Sequence, residues 1–121
     1  MAYDDTNIFA KIIRGEIPCS KVYEDDFALA FNDISPAAPT HVLVIPKGGY
    51  VSMEDFTEKA SDAEIAGFFR AVGKVARDGN LTAPGYRILA NHGADAHQEV
   101  MHFHVHIFGG RDLGGLLPKK L

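Results

Sequence analysis

Val100-Met101-His102-Phe103-His104-Val105-His106-Ile107-Phe108 alternates apolar residues with histidine. A period of two is the mark of a strand whose two faces differ. On such a strand His102, His104 and His106 point one way, with Cα atoms of neighbouring histidines about 7 Å apart, while Met101, Phe103, Val105 and Ile107 point the other. The apolar face needs a core to cover it, so the reading places a half-buried strand over Val100 to Phe108 and a row of imidazoles on its other side.

Upstream of this strand, Gly85 to Ala90 is a short β-prone run, and Asn91 to Glu99 is a loop. Ser61-Asp62-Ala63-Glu64 has the S-x-x-E form of a capping box, and Ile65, Phe68, Phe69, Val72, Val75 and Ala76 follow at helical spacing until Gly79. Phe68 and Phe69 belong to that apolar stripe and read as core packing. His41 to Ile45 is a near-continuous apolar run ending at Pro46, which reads as a buried strand fed by the loop Asn32 to Pro39. Val22 to Glu24 and Phe27 to Phe31 flank the turn-tolerant pair Asp25-Asp26, the pattern of a hairpin. At the start, Thr6-Asn7 can cap a short helix through Ile8, Phe9, Ile12 and Ile13 that ends at Gly15. Few helices, separated by strands on short connections, predict an α+β domain with a largely antiparallel sheet.

With 121 residues, 46% apolar and 23% charged, the chain reads as one globular domain spanning 1–121, with a core from about Ile8 to Leu117 and a tail over 113–121. No apolar run approaches the roughly 20 residues of a membrane-spanning helix, and Met1 to Thr6 lacks the regions of a secretion signal. The expectation is a cytoplasmic protein with no membrane partner. The lone Cys19 forms no internal disulfide and reads as a small apolar side chain. A net charge of −4 lacks the basic footprint of nucleic-acid binding, so an anionic ligand must be held locally.

Three readings compete for the histidine row. Buried structural histidines would each need a polar partner. A zinc site is a second reading, but same-face side chains on a straight strand diverge too far for all three to reach one ion at about 2.1 Å, although the pair His102 and His106 flanking a gap can. The third reading is nucleophilic: one neutral imidazole attacks phosphorus, a neighbour fixes its tautomer, and donors receive charge on the phosphoryl oxygens. Because histidine titrates near neutrality, another ring, protonated, could hold the phosphate or protonate a leaving group. Gly109-Gly110-Arg111 then permits a sharp turn after the strand.

His102-Phe103-His104-Val105-His106-Ile107-Phe108 resembles the H-φ-H-φ-H-φ-φ signature of the histidine-triad superfamily, where φ is apolar. The resemblance runs from Ile8 to about Leu117. Phe31 to Lys47 and Gly109-Gly110-Arg111 resemble the Hint branch in particular. It implies the histidine-triad fold, a five-stranded sheet with one long and one short helix, continued across a homodimer. It also implies hydrolysis of purine nucleoside 5′-phosphoramidates, such as adenosine 5′-monophosphoramidate, without a cofactor or a functional metal. By the same resemblance His104 attacks the α-phosphorus and becomes a nucleotidyl-histidine, His102 and His106 orient it and hold phosphate oxygens, and His41 is a fourth histidine of the site. Asp33 matches the carboxylate that accepts the ribose hydroxyls, a role suited to a bidentate acceptor; it can equally cap the Ile34-Ser35-Pro36 turn. Phe9, Ile12, Ile17, Phe31, Ile34 and Leu43 match the apolar slot for the base, and Asn91 with the backbone of Gln98, Glu99 and Val100 matches the phosphate-side donors.

The chain departs from the family pattern at Glu99, where the eukaryotic members carry a serine, at His97, where glycine is usual, and at Asn32, where the animal proteins carry a histidine. An ionised carboxylate cannot donate to phosphate, so Glu99 removes that contact. Two other functions share these residues: hydrolysis of dinucleoside polyphosphates, as in the Fhit-like branch, and a regulatory or scaffold protein that binds nucleotide with little turnover.

Overall fold

The computed structural model describes residues 2–115 and 117 of the 121. In chain order the elements are α1 (Ile8–Ile13), β1 (Lys21–Glu24), β2 (Ala28–Asn32), β3 (Thr40–Pro46), α2 (Met53–Lys59), α3 (Asp62–Asp78), β4 (Arg87–Leu89) and β5 (Val105–Gly109). The strands form one sheet in the order β1-β2-β3-β5-β4, and every neighbouring pair is antiparallel. This is the expected α+β architecture. Of the tail over 113–121, residues 116 and 118–121 lie outside the described residues. No helix among the described residues is long and apolar enough to cross a membrane.

Local chemistry explains most boundaries. The Asn7 side chain accepts the Ala10 N–H at the start of α1, and Gly15, at φ +79°, takes the chain out of it. Asp25 closes the β1–β2 hairpin by accepting the N–H groups of Phe27 and Ala28 on one oxygen and the Tyr23 hydroxyl on the other. Ser61 and Glu64 form a complete capping box on α3, which stops at Gly79. The sequence reading passed over α2 because only Phe56 of its large apolar side chains is buried, which leaves no periodic stripe to read.

The two faces of the sheet are packed differently. On one, Ala28, Ala30, Val42, Val44, Val105 and Ile107 meet Phe68, Ala71, Val72 and Val75 of α3 in the main core. Phe68 is fully buried and Phe69 packs at its margin, so the pair is structural. On the other face Leu29, Phe31, Leu43 and Ile45 are covered by Phe9 of α1. Because α1 is short it covers only part of that face, and the remainder borders an open cavity.

The last strand corrects the sequence reading. Its ladder begins at Val105, paired with Val44, and residues 100–104 make no strand pairing. The main-chain groups there have other partners: the Phe103 N–H donates to the Tyr50 carbonyl at 2.7 Å, and the Pro46 carbonyl accepts from the His102 ring at 2.9 Å. His102 and His104 therefore stand on an irregular segment and His106 alone stands on β5. The alternation of facing holds from Phe103 onward, with Phe103, Val105 and Ile107 in the main core and His104 and His106 at the cavity; Met101, expected on the core face, is exposed, and His102 does not reach the cavity.

Candidate active site

A cavity of about 540 Å³ opens on the α1 side of the sheet. Phe9 and Ile12 of α1, Phe31 and Leu43 of the sheet and the exposed Ile34 form its apolar wall. Asp33, Asn91, Glu99, Val100, His104 and His106 form the polar end, joined by Ile8, Asn32, Ser35, Ala96 and His97. Four expected residues stand elsewhere. Ile17 is half-buried away from the lining. The Gln98 side chain turns inward, its amide donating to the carbonyls of Val51 and Val100 and its oxygen accepting the Gly93 N–H, so it secures the loop over 91–99. His41 and His102 lie behind the wall. A larger cavity, about 630 Å³, between Tyr86 and Gly114 contains no histidine.

The hydrogen bonds assign the tautomers of His41, His102, His104 and His106. The Ala37 N–H donates to His41 Nδ1 at 3.1 Å, so the His41 proton resides on Nε2, which donates to His106 Nδ1 at 2.9 Å. The His106 proton is then on Nε2. His102 Nε2–H donates to the Pro46 carbonyl at 2.9 Å, which leaves Nδ1 to accept the Tyr3 hydroxyl at 2.6 Å. His104 Nδ1–H donates to the His102 main-chain carbonyl at 2.7 Å, so Nε2 keeps its unshared pair. Among the described residues that nitrogen has no hydrogen-bond partner, and the His104 and His106 rings meet edge to face at 5.2 Å between centroids. The cavity thus holds a bare imidazole nitrogen beside an N–H donor.

Burial keeps these rings neutral. It lowers His102 and His106 to about 4, and for His106 the neighbouring His104 and His41 add to the effect. It also lowers His104, against the opposing pull of Asp33 and Glu99, and lowers His41 despite Asp33. Burial thus disfavours the protonated form of each of these four rings, the form in which one of them was expected to hold phosphate. Asp33 serves its turn, with one oxygen accepting the Ser35 N–H at 2.8 Å, while the other lies 3.6 Å from His41 Nε2.

The metal reading also shifts. Both His102 nitrogens are engaged, so the pair His102 and His106 is not brought together. Asp33, His41 and His106 instead place ligand atoms within 4.8 Å of one another. An ion there would have to replace the His41–His106 hydrogen bond.

A model of the HIT domain matches residues 14–113. The chain belongs to the HIT-domain family. It is 62% identical over 97% of its length to a 13.2 kDa HIT-like protein of Azospirillum brasilense, of which it covers 96%. It is 40% identical to the purine nucleoside phosphoramidase of Escherichia coli, over 96% of this chain and 97% of that protein. The solved histidine-triad protein of Clostridium difficile superimposes with a TM-score of 0.83 at 40% identity, covering 96% of this chain and all of that one. The sheet and helices of this HIT domain are those of its structural relatives.

Reasoning from sequence missed the Tyr3 hydroxyl, the Pro46 carbonyl and the Ala37 N–H. Two are main-chain groups with no compositional signal, and Tyr3 precedes the first periodic element. Ile8, by contrast, was legible as part of the α1 stripe.

Proposed function

We propose that this HIT-domain protein hydrolyses purine nucleoside 5′-phosphoramidates and releases the nucleoside monophosphate. The observation that carries the proposal is the bare Nε2 of His104, held toward the cavity because Nδ1–H is bound to the His102 carbonyl. In the first step His104 Nε2 forms a bond to phosphorus as the P–N bond breaks, and the amine departs with that electron pair and takes a proton from solvent water. The imidazole becomes a cation, which the His102 carbonyl stabilises through the Nδ1–H it already accepts. His106 Nε2–H donates to a phosphoryl oxygen, and His41 holds it in that tautomer. In the second step water attacks phosphorus and gives up a proton to the solvent, the P–Nε2 bond breaks, and its electron pair returns to His104.

The apolar wall of Phe9, Ile12, Phe31, Ile34 and Leu43 suits a purine, and the free lone pairs of Asp33 suit the ribose diol. Asn91 and the main chain of Glu99 and Val100 line the phosphate end; Ile17 and the Gln98 side chain act from outside the cavity. No step of this scheme calls on a metal, and the proposed reaction is metal-independent. The protein acts as a cytoplasmic homodimer. The name of the Escherichia coli relative supports the substrate class.

His104→Ala is expected to abolish turnover of adenosine 5′-phosphoramidate while adenosine monophosphate still binds. Undiminished turnover in that variant would sink the mechanism. Rates on a dinucleoside polyphosphate measured alongside, and activity in a chelator, separate the polyphosphatase, binding-only and metal-dependent readings.

A further inference from the structure

We infer that Tyr3 is a positioning residue for the nucleophile, acting from outside the cavity through His102; this rests on His104 being the attacking group. The Tyr3 hydroxyl receives a hydrogen bond from Asn7 Nδ2 at 3.0 Å and lies 2.6 Å from His102 Nδ1. An amide N–H only donates, so the Tyr3 hydrogen is committed to His102. On its other side the His102 ring donates to the Pro46 carbonyl. The ring, fully buried, is thus clamped between the N-terminal segment and the end of β3.

The clamp matters because of what the His102 main chain does. Its carbonyl is the acceptor that fixes the tautomer of His104, yet residues 101–104 have no ladder to hold that carbonyl in place. The Phe103 N–H bond to Tyr50 restrains one side of the segment, and the His102 ring restrains the other. Tyr3 is itself seated by shape. A Cβ added at Gly49 would lie 2.7 Å from its ring, so the chain passes against its face at a position where only glycine fits. The same Asn7 that orients Tyr3 also caps α1 through its oxygen, which ties the helix bearing Phe9 and Ile12 to the histidine segment. His102 edges onto Phe9 at 6.4 Å between centroids. One relay, Asn7 to Tyr3 to His102 to His104, therefore joins the apolar wall to the nucleophile.

Two variants test this. Tyr3→Phe keeps the ring and deletes the hydroxyl. Asn7→Asp keeps the capping oxygen but presents a second acceptor to Tyr3, drawing its hydrogen away from His102; it also gives up the bond from Asn7 Nδ2 to the Asp4 carbonyl at 2.7 Å, so Tyr3→Phe is the variant that leaves the local contacts intact. In each, kcat on adenosine 5′-phosphoramidate should fall about five- to ten-fold, the size set by one neutral hydrogen bond, with the Kd for adenosine monophosphate unchanged. Imidazole ¹⁵N spectra of the free protein should show His104 wholly protonated on Nδ1 in the parent and a mixture of tautomers in both variants. Parent-like kcat and parent-like His104 nitrogen shifts would overturn the inference. So would a loss of thermal stability accompanied by unchanged tautomers, which would make Tyr3 a packing residue only. The spectra need no substrate, so they judge the relay even if His104 proves not to be the nucleophile.

Discussion

His104 is made competent by subtraction: one nitrogen is engaged by a carbonyl, and burial outweighs the pull of the Asp33 and Glu99 charges to hold the ring neutral. The cavity lining includes His106 and two carboxylates, Asp33 and Glu99, and among the described residues no lysine or arginine lines it. Glu99 is exposed at the rim and opposes an incoming phosphate. Glu99→Gln should therefore tighten adenosine monophosphate binding by about three-fold, the worth of one exposed charge interaction. Calorimetry at two salt concentrations checks this, because the gain should shrink as salt rises. Equal affinities of parent and variant at low salt would place the carboxylate too far away to matter.

At the scale of elements, the hairpin turn is seated against α3. A Cβ built on Gly67 of α3 would lie 2.3 Å from the Phe27 ring, at the tip of the β1–β2 hairpin. Gly67→Ala must push that ring aside, and the helix-propensity gain of alanine does not offset it, so a net loss of about 1–2 kcal/mol is expected. Thermal denaturation measures it, and a raised melting temperature would show that Phe27 swings away freely. Elements differ in how legible they were. The capping box of α3, the Asp25 turn and the apolar run of β3 are local signals, and each forms where its residues dictate. The strand over Val100 to Phe108 was legible only in half, because alternation reports which way side chains face and carries no information on main-chain partners. The ladder of β5 starts at Val105, opposite Val44, while Phe103 turns its N–H to Tyr50. Likewise α2 buries too little for a periodic stripe.

Across the whole molecule, the buried imidazoles couple folding to pH. Unfolded histidines titrate near 6.5, whereas His102 and His106 are lowered to about 4 in the fold. The folded protein thus binds fewer protons than the unfolded chain between those values, and stability rises with pH across that window. The melting temperature should be level above about pH 7 and fall as pH drops from 6.5 toward 4. His106→Asn should shallow that fall, and a melting temperature constant from pH 7 to 4.5 would contradict the neutral assignment. Which residues meet at the cavity was readable from sequence as far as side chains carry the family motif: His104, His106, Asp33 and the apolar wall line one cavity. Gln98 and His102 face elsewhere because loop closure and the Pro46 carbonyl claim their polar atoms. One consequence concerns how such a site can change over evolutionary time. The acceptor that orients the nucleophile is a peptide carbonyl, present at position 102 whatever residue stands there. A substitution that removes the His102 ring loosens this carbonyl but does not delete it. Side-chain scanning will therefore rank His102 below its true part in the chemistry, and descendants could lose the outer histidine by mutation while keeping a working, slower nucleophile.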